Sequence, residues 1–359
     1  MEYDNYCLNL IKELSNAKGP SGFEDEVVEI AKKYGSDFAY MQEDKMRNVY
    51  FYRKKNSGNK PILMLDAHSD EVGFMVHSIK DNGTLRVNNL GRWTNTSLPA
   101  SKVKVRNSEG KWISGIFVNK PAHFRSESDN KNDLKISDLA IDIGATSMAE
   151  ARDVFKIRMG EPVVPASEFE FDEENGLMFS KAFDCRLGCA GLIETMRRLD
   201  KLDLDVDVVG VFSSQEEVGE RGCKVAVNHV KPDVAICYEG CPADDTFTES
   251  YAIQTALRKG PMFRHMDVSA ICSPRLQRFV LDLAKEKDLA VQESVREGGG
   301  NDAAVIQSAL DGIPVVTAGI PVRYIHAMNC LASYEDFEKT VCLIVEVVKA
   351  LNKDVIDRL

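Results

Sequence analysis

The spacing of hydrophobic residues changes along the chain, and each change predicts a different kind of structure. In the first part, Leu8, Ile11 and Leu14 recur at the spacing of one helix face. The run PILML at residues 61–65 is apolar throughout, as expected of a strand that is covered on both faces. The elements predicted in this part are helices at residues 5–17 and 24–34 and strands at residues 48–52 and 61–65.

A second pattern, of short alternating stretches separated by turn residues, occupies residues 71–164. Asp81-Asn82-Gly83 and the sequence NSEG at residues 107–110 are typical of tight turns between strands. This segment is therefore predicted to form a small β-rich unit of hairpins. Its loop at residues 124–135 (FRSESDNKNDLK) is dense in charge, so we interpret it as mobile or engaged by a partner chain.

From Asp184 onward, apolar strands and amphipathic helices alternate again, which is typical of an α/β fold. The predicted helices lie at residues 186–202 and 274–289, and a last helix starts after Ser333, where Ser333 and Asp336 resemble a capping box. The predicted strands lie at residues 206–212, 234–238 and 314–317. The chain as a whole is predicted to be an α/β protein, with a central mixed sheet flanked by helices and an additional β-rich unit.

Histidines and acidic residues recur where apolar strands end. Each of them alone would more often be a structural or surface residue, but their recurrence at strand ends predicts a site, because open α/β sheets bind ligands outside the carboxyl ends of their strands. The candidate residues are His68, Asp70, Asp184, Glu216, Glu217, Glu239 and His326. Only His68 and Asp70 precede the β-rich segment. One site therefore requires a discontinuous α/β domain, residues 1–70 and 165–359, with residues 71–164 inserted.

The types of candidate residue indicate a metal site. Glu216 and Glu217 are adjacent carboxylates, and their repulsion in a buried place requires a cation or a shared proton. The histidines and carboxylates together exceed the ligands of one tetrahedral zinc, so two ions with a bridging carboxylate are predicted, and Asp184 is the natural bridge. Asp70 is spaced to orient His68. One glutamate of the pair is left as a general base.

The composition excludes some classes of function. A net charge of −11 lacks the basic surface that nucleic acids and anionic membranes require. No apolar run approaches the roughly 20 residues that span a bilayer, and the acidic N-terminus is untypical of a signal peptide. We therefore expect a cytoplasmic protein without nucleic-acid or membrane partners.

The nine cysteines, an odd number spread through apolar segments, also suit a reducing compartment. Cys185 with Cys189 and Cys237 with Cys241 form two spaced pairs, which leaves a structural four-cysteine zinc site as an alternative. We favour the interpretation that these four cysteines are small buried side chains, because each pair lies next to an acidic candidate ligand.

Eight stretches together make the chain resemble the tetrahedral (TET-type) aminopeptidases. This family of dinuclear metallopeptidases includes glutamyl and deblocking aminopeptidases, and its members are often labelled endoglucanases. The stretches, spread over essentially the whole chain, are GPSGFEDEV, AHSDEVGF, VNKPAHF, IDIGATSMAEA, AFDCRLG, QEEVGERG, GGGNDAA and PVRYIHA. The resemblance implies a metallopeptidase core with an inserted PDZ-like β domain used in dimerisation. It also implies a homo-oligomer, with dimers that commonly assemble into a hollow tetrahedral dodecamer.

The resemblance also implies roles for the candidate residues. Five of them would bind two divalent metal ions per subunit: His68, Asp184, Glu217, Glu239 and His326. The ions would be zinc, with cobalt or manganese as alternatives, and Asp184 would bridge them. Glu216 would be the general base and Asp70 would support His68. The implied function is removal of N-terminal residues from peptides by a metal-bridging water that Glu216 activates.

Three positions depart from the pattern of this family. The family usually has Asp where this chain has Glu239, and Asp or Asn where it has Cys185. Its GGTDA motif appears here as GGNDA at residues 299–303. None of these changes removes a metal-binding group.

Two other classes of function compete with an aminopeptidase. A glycoside hydrolase needs two carboxylates and no metal, so it gives His68 and His326 no role. A peptide-binding scaffold that has lost its chemistry would lack a catalytic group, whereas Glu216 and all five ligand positions carry competent side chains. The aminopeptidase is therefore the leading hypothesis.

Overall fold

The computed structural model of the protein describes residues 3–124 and 134–359. Most of the charged loop predicted at residues 124–135 lies outside the described residues. The chain begins with two helices and three strands: α1 (Asn5–Asn16), α2 (Asp25–Gly35), β1 (Ala39–Glu43), β2 (Val49–Arg53) and β3 (Ile62–His68). Both predicted helices and both predicted strands of this part are present, and β1 is an additional strand.

The next six strands close into a barrel. They are β4 (Gly73–Ile79), β5 (Leu85–Leu90), β6 (Lys102–Arg106), β7 (Trp112–Phe117), β8 (Ile141–Asp142) and β9 (Pro162–Pro165), and α3 (Met148–Asp153) lies between the last two. Their order around the barrel is β4-β5-β8-β7-β6-β9, with antiparallel pairing throughout. Phe74, Val103 and Phe117 belong to its own apolar core. The predicted β-rich unit is thus a closed six-stranded barrel.

The remainder of the chain contains the other strands and helices. In chain order they are β10 (Glu170–Asp172), β11 (Leu177–Ser180), α4 (Phe183–Leu199), β12 (Asp207–Ser213), α5 (Arg221–Val230), β13 (Val234–Pro242), β14 (Met262–Met266), α6 (Pro274–Glu286), β15 (Gln292–Val295), α7 (Ala303–Gln307), β16 (Val315–Arg323), β17 (Cys330–Ser333), α8 (Tyr334–Ala350) and α9 (Lys353–Ile356). Every element predicted in this part is present, although β13 and β16 extend several residues beyond their predicted ends.

Within the described residues, eleven strands form one mixed sheet. Nine of them follow the order β1-β2-β12-β3-β13-β16-β17-β11-β10, and β14 and β15 extend from β16. The four central strands β12, β3, β13 and β16 are parallel, whereas the neighbours at both ends pair antiparallel. The predicted fold class, α/β with a central mixed sheet, is confirmed.

Helices cover both faces of this sheet. Leu63 and Leu65 of β3 belong to the large core that includes residues of α1, α4 and α8. Met64, between them, belongs to a second core with residues of α5 and α7. Successive side chains of a strand point to opposite faces, so this alternation places β3 in the middle of a three-layer sandwich. None of the helices in the described ranges is both long enough and apolar enough to cross a membrane.

Candidate metal centre

The carboxyl ends of the parallel strands bring most of the candidate residues together. His68 is the last residue of β3, Glu216 and Glu217 lie in the loop after β12, and His326 follows β16 by three residues. Because β3, β12 and β16 run in the same direction, these side chains meet at one edge of the sheet.

Glu239 also reaches this edge, but from inside a strand. The pattern predicts a strand that ends at residue 238, whereas β13 continues through Glu239 to Pro242 and pairs with β16 along that length. An acidic residue interrupts the apolar run and hides the true end of the strand. The side chain is only 7% exposed, and its Oε2 lies 3.8 Å from Nε2 of His68.

Asp184 lies at the centre of the cluster. It stands in the first turn of α4, where its backbone is extended (φ −88°, ψ 108°) rather than helical. Its Oδ1 lies 3.0 Å from Nε2 of His68, and its Oδ2 lies 3.0 Å from Nε2 of His326. Gly240 of β13 permits this position, because a Cβ there would lie 2.9 Å from Cα of Asp184. One carboxylate thus faces a histidine at the end of β3 and a histidine in the loop after β16.

The candidate ligands fall into two groups that share Asp184. In each group, one ligand atom per residue lies within 4.8 Å of the others: the first comprises His68, Asp184, Cys185 and Glu239, and the second comprises Asp184, Glu217 and His326. Oε1 of Glu217 lies 3.3 Å from Nε2 of His326 and is buried without a hydrogen-bond partner among the described residues. A buried carboxylate oxygen is costly unless a donor or a cation satisfies it. The two groups therefore fit two cations.

Asp70 holds the loop that carries the glutamate pair. Its carboxylate accepts hydrogen bonds from the backbone N–H groups of Glu216 (2.9 Å) and Glu217 (3.2 Å) and from the hydroxyl of Ser21 (2.6 Å). Its Oδ1 also lies 3.4 Å from Nδ1 of His68. The sequence predicts only the last contact. The bonds to the loop show that Asp70 positions the glutamates as well.

Glu216 lines a cavity of about 440 Å³ beside the candidate ligands. Its Oε2 lies 3.9 Å from Nε2 of His68, and it forms a further close group with His68 and Glu217. Three arginines also line this cavity: Arg92, Arg264 and Arg296. These arginines are not predicted from the sequence, because nothing in the pattern shows which distant loops surround the site.

The residues of the cluster carry more negative than positive charge, and their pKa values reflect this. Burial raises the pKa of Glu216 well above its ordinary value; the charge of His68 opposes this shift, and the charges of Glu217 and Glu239 add to it. Burial lowers the pKa of His326, but the charge of Glu217 and the contact with Asp184 outweigh it and raise that pKa to about 11. Bound divalent cations would supply the missing positive charge and displace these protons.

A network of buried charges behind the site was not predicted. Nζ of Lys181 donates hydrogen bonds to both carboxylate oxygens of Glu71, at 2.6 and 2.7 Å. The fully buried guanidinium of Arg186 donates to the carbonyl oxygens of Ser69 (2.9 Å) and Gly19 (3.1 Å). Because Arg186 is in α4 and Ser69 follows β3, these bonds fix the two elements that carry Asp184 and His68.

The four-cysteine zinc site, which the sequence left open as an alternative, is not formed. All nine cysteines are free thiols. Sγ of Cys185 donates to the carbonyl oxygen of Tyr238, and Sγ of Cys189 donates to that of His68. In the described parts of the chain, no group of close ligand atoms unites the two cysteine pairs.

The fold is that of a peptide hydrolase, as comparison with known proteins shows. The chain belongs to the M42 glutamyl aminopeptidase family, whose sequence profile matches residues 48–343. It is similar to the glutamyl aminopeptidase of Lactococcus lactis subsp. cremoris, with 31% identity over 346 residues that cover 96% of each protein. Membership of a peptidase family decides against the glycoside hydrolase and the scaffold without chemistry.

Solved structures are similar over nearly the whole chain. A TET aminopeptidase from the marine sediment archaeon Thaumarchaeota archaeon SCGC AB-539-E09 superimposes with a TM-score of 0.94 at 36% identity, covering 99% of both chains. The Pyrococcus horikoshii TET1 peptidase, described as able to assemble into a tetrahedron or a large octahedral shell, gives a TM-score of 0.85 at 29% identity. That match covers 96% of this chain and 100% of the other. The resemblance read from the sequence motifs is confirmed.

Proposed function

We propose that this chain is a dinuclear metal-dependent aminopeptidase, which removes N-terminal residues from peptides. The observation that carries the proposal is the position of Asp184, whose two oxygens each lie 3.0 Å from Nε2 of a different histidine. A carboxylate between two imidazoles, one at the end of β3 and one in the loop after β16, is suited to bridging two cations.

Each ion would have three protein ligands. His68, Asp184 and Glu239 would hold one ion, and Asp184, Glu217 and His326 would hold the other. Imidazole and carboxylate ligands suit zinc, which we propose, and also cobalt or manganese. When bound, the two ions would act as Lewis acids that polarise the scissile carbonyl and make water a better nucleophile.

Glu216 is the proposed general base. It lines the cavity beside His68 and is adjacent in sequence to the ligand Glu217, so its carboxylate is within reach of a water molecule that attacks the scissile carbonyl. It would take the proton of this water and pass it to the leaving amine. Asp70 would keep the base in place, since it accepts the hydrogen bond from the backbone N–H of Glu216, and would orient His68.

The cavity suits the end of a peptide rather than its middle. Its volume of about 440 Å³ lies in the range of small-molecule sites, which is enough for a few residues. Glu220 lines the cavity and is not among the proposed metal ligands. Its carboxylate would attract the protonated α-amino group of a peptide, and this supports cleavage from the N-terminus.

The barrel is the proposed means of assembly. We propose that residues 71–164 form a PDZ-like dimerisation domain, inserted in a discontinuous α/β domain of residues 1–70 and 165–359. A groove of about 780 Å³ crosses its outer surface, lined in part by Ile116 and Val118, which are 47% and 43% exposed. Exposed apolar side chains in a groove favour a protein contact. We propose that such dimers combine into a tetrahedral dodecamer, which the tetrahedron named for the TET1 peptidase supports.

The cysteines support a cytoplasmic location for this activity. All nine are free, and eight of them are buried. Unpaired thiols persist in compartments that keep them reduced. We propose peptides as the substrates there.

Removal of the metal ions is expected to abolish hydrolysis of aminoacyl chromogenic substrates. The five candidate ligands would then hold no Lewis acid to polarise the scissile carbonyl. Activity should return when zinc, cobalt or manganese is added after the chelator has been dialysed away. A panel of substrates with different N-terminal residues, assayed with each metal, would measure both the metal and the substrate preference. Unchanged activity in excess chelator would contradict the metal-dependent proposal.

The protein is expected to sediment as a homo-oligomer at micromolar concentration, because the apolar groove of the barrel favours burial against another protein surface. Sedimentation velocity would measure this. Ile116→Lys places a charge in the groove without touching the metal centre, and should shift the distribution towards smaller species. A wild-type protein that sediments as a monomer would contradict the proposal.

A further inference from the structure

The turn after β5 lies directly against the metal centre, although it belongs to the barrel. Gly91 adopts a left-handed conformation (φ 79°). A Cβ at this position would lie 2.6 Å from Cγ1 of Val72 and 3.0 Å from Oε2 of Glu217. Glycine is therefore required both for the backbone conformation and for the close approach to Glu217. The next residue along the chain is Arg92.

The residue that follows Arg92 is also held in place. Trp93 stacks on Phe74, with 4.8 Å between ring centroids and 22° between planes, and its Nε1 donates a hydrogen bond to the carbonyl oxygen of Gly73 (3.1 Å). Arg92 is thus held between a glycine packed beside a candidate metal ligand and a tryptophan anchored to the barrel. Arg92 is one of the residues that line the cavity.

The guanidinium of Arg92 differs from those of the other arginines in the cavity. Arg264 pairs with Asp267 (2.9 Å), and Arg296 pairs with Asp244 (3.1 Å). Arg92 is exposed and makes neither a hydrogen bond nor an ion pair with any described residue. Arg92 is thus a cation beside the candidate metal centre that has no ion-pair partner among the described residues. It can therefore bind an anionic group of a ligand.

We infer that Arg92 binds a carboxylate of the peptide substrate close to the scissile bond. This inference rests on the proposed aminopeptidase function. Two sources supply such a carboxylate: the side chain of an acidic substrate residue and the C-terminus of a short peptide. The planar guanidinium matches either one through two parallel N–H···O hydrogen bonds. The barrel thereby contributes a specificity-determining residue to a site whose metal ligands all come from the α/β core.

Steady-state kinetics of the zinc-loaded protein would test this role. The variants are Arg92→Ala, Arg92→Lys and the control Arg86→Ala, which removes the same charge from β5 at a position outside the cavity. The substrates are leucine 4-nitroanilide, which has no carboxylate, glutamate 4-nitroanilide, the dipeptide Leu-Leu and its C-terminal amide. Each is assayed at low and high ionic strength.

Arg92→Ala is expected to raise KM about tenfold for carboxylate-bearing substrates, with little change in kcat, and to leave leucine 4-nitroanilide and Leu-Leu-amide unaffected. The effect should shrink at high ionic strength, and Arg92→Lys should restore part of the affinity. A change for glutamate 4-nitroanilide identifies the acidic side chain as the source, and a change for Leu-Leu identifies the C-terminus.

Two results would overturn the inference alone: equal changes in KM for all four substrates, or the same behaviour in Arg92→Ala and Arg86→Ala. A wild-type protein that hydrolyses none of the four substrates would instead overturn the proposed function, and the inference with it.

Discussion

Replacement of Glu216 by glutamine is expected to remove most turnover while both metal ions stay bound. Glutamine has nearly the same size as glutamate but cannot accept the proton of the attacking water. Loss of a general base typically costs about 100-fold or more, so kcat should fall by at least that factor. Asp184, Glu217 and His326 are untouched, and each keeps the contacts that define the second ligand group. Kinetics and elemental analysis of the same preparation would measure both quantities.

A matched control is available in the same cavity. Glu220 also lines it, but belongs to none of the close ligand groups among the described residues. Glu220→Gln removes an equal charge from the cavity and should keep kcat within a few-fold of wild type, because weaker attraction of the substrate's amino group would raise KM instead. Near-normal turnover in Glu216→Gln would show that another group is the base. Loss of a metal ion in that variant would instead assign Glu216 as a ligand.

The central strands could be predicted from the sequence because helices cover them on both faces. β3 and β12 are buried over almost their whole length and therefore appear as continuous apolar runs. The strands beyond the centre lack this signal. β10 and β15, at the ends of the sheet, have exposed and half-exposed residues and no regular alternation. Such strands are defined by their partners in the sheet rather than by their own sequence.

The start of α8 was predicted correctly, but for a different reason from the physical one. Ser333 is the residue before the helix, as a capping box requires, yet its side chain makes no capping hydrogen bond. The buried carboxylate of Asp336 instead accepts hydrogen bonds from the backbone N–H groups of Arg258 (2.6 Å) and Gly260 (2.7 Å). Asp336 thus fixes a distant loop against the helix. Local sequence patterns cannot show which backbone groups from another segment need an acceptor.

The same limit applies to the candidate site. Its histidines and carboxylates could be predicted because ligands of an α/β sheet recur at strand ends. Their supports come from segments far away in sequence: Ser21, which binds Asp70, lies in the loop that separates α1 from α2, and Arg92 comes from the barrel. Only the packing of these segments onto the sheet edge reveals their contribution.

Replacement of Glu239 by alanine is expected to remove one of the two proposed metal ions and most of the activity. Glu239 pairs with Gly319 of β16 inside a strand, so its side chain cannot turn to solvent without disrupting the sheet. With alanine at this position, only His68 and Asp184 remain of the three ligands proposed for that ion. The second group keeps all three of its members. The loss of affinity should exceed the roughly 10- to 100-fold cost of losing an outer-shell partner. Elemental analysis should find one ion per subunit instead of two.

Glu239→Asp separates the effect of the carboxylate charge from the effect of the length of the side chain. It keeps the charge, shortens the side chain by one methylene and introduces the residue that the TET-type resemblance implies at this position. Because Oε2 of Glu239 already lies 3.8 Å from Nε2 of His68, the shorter side chain can still complete the first ligand group if β13 and α4 shift slightly. We expect this variant to keep both ions and substantial activity. Thermal unfolding of the metal-depleted variants would show whether alanine disturbs the strand itself. If Glu239→Ala retains two ions and full turnover, Glu239 is not a ligand, and only His68 and Asp184 remain as proposed protein ligands of the first ion.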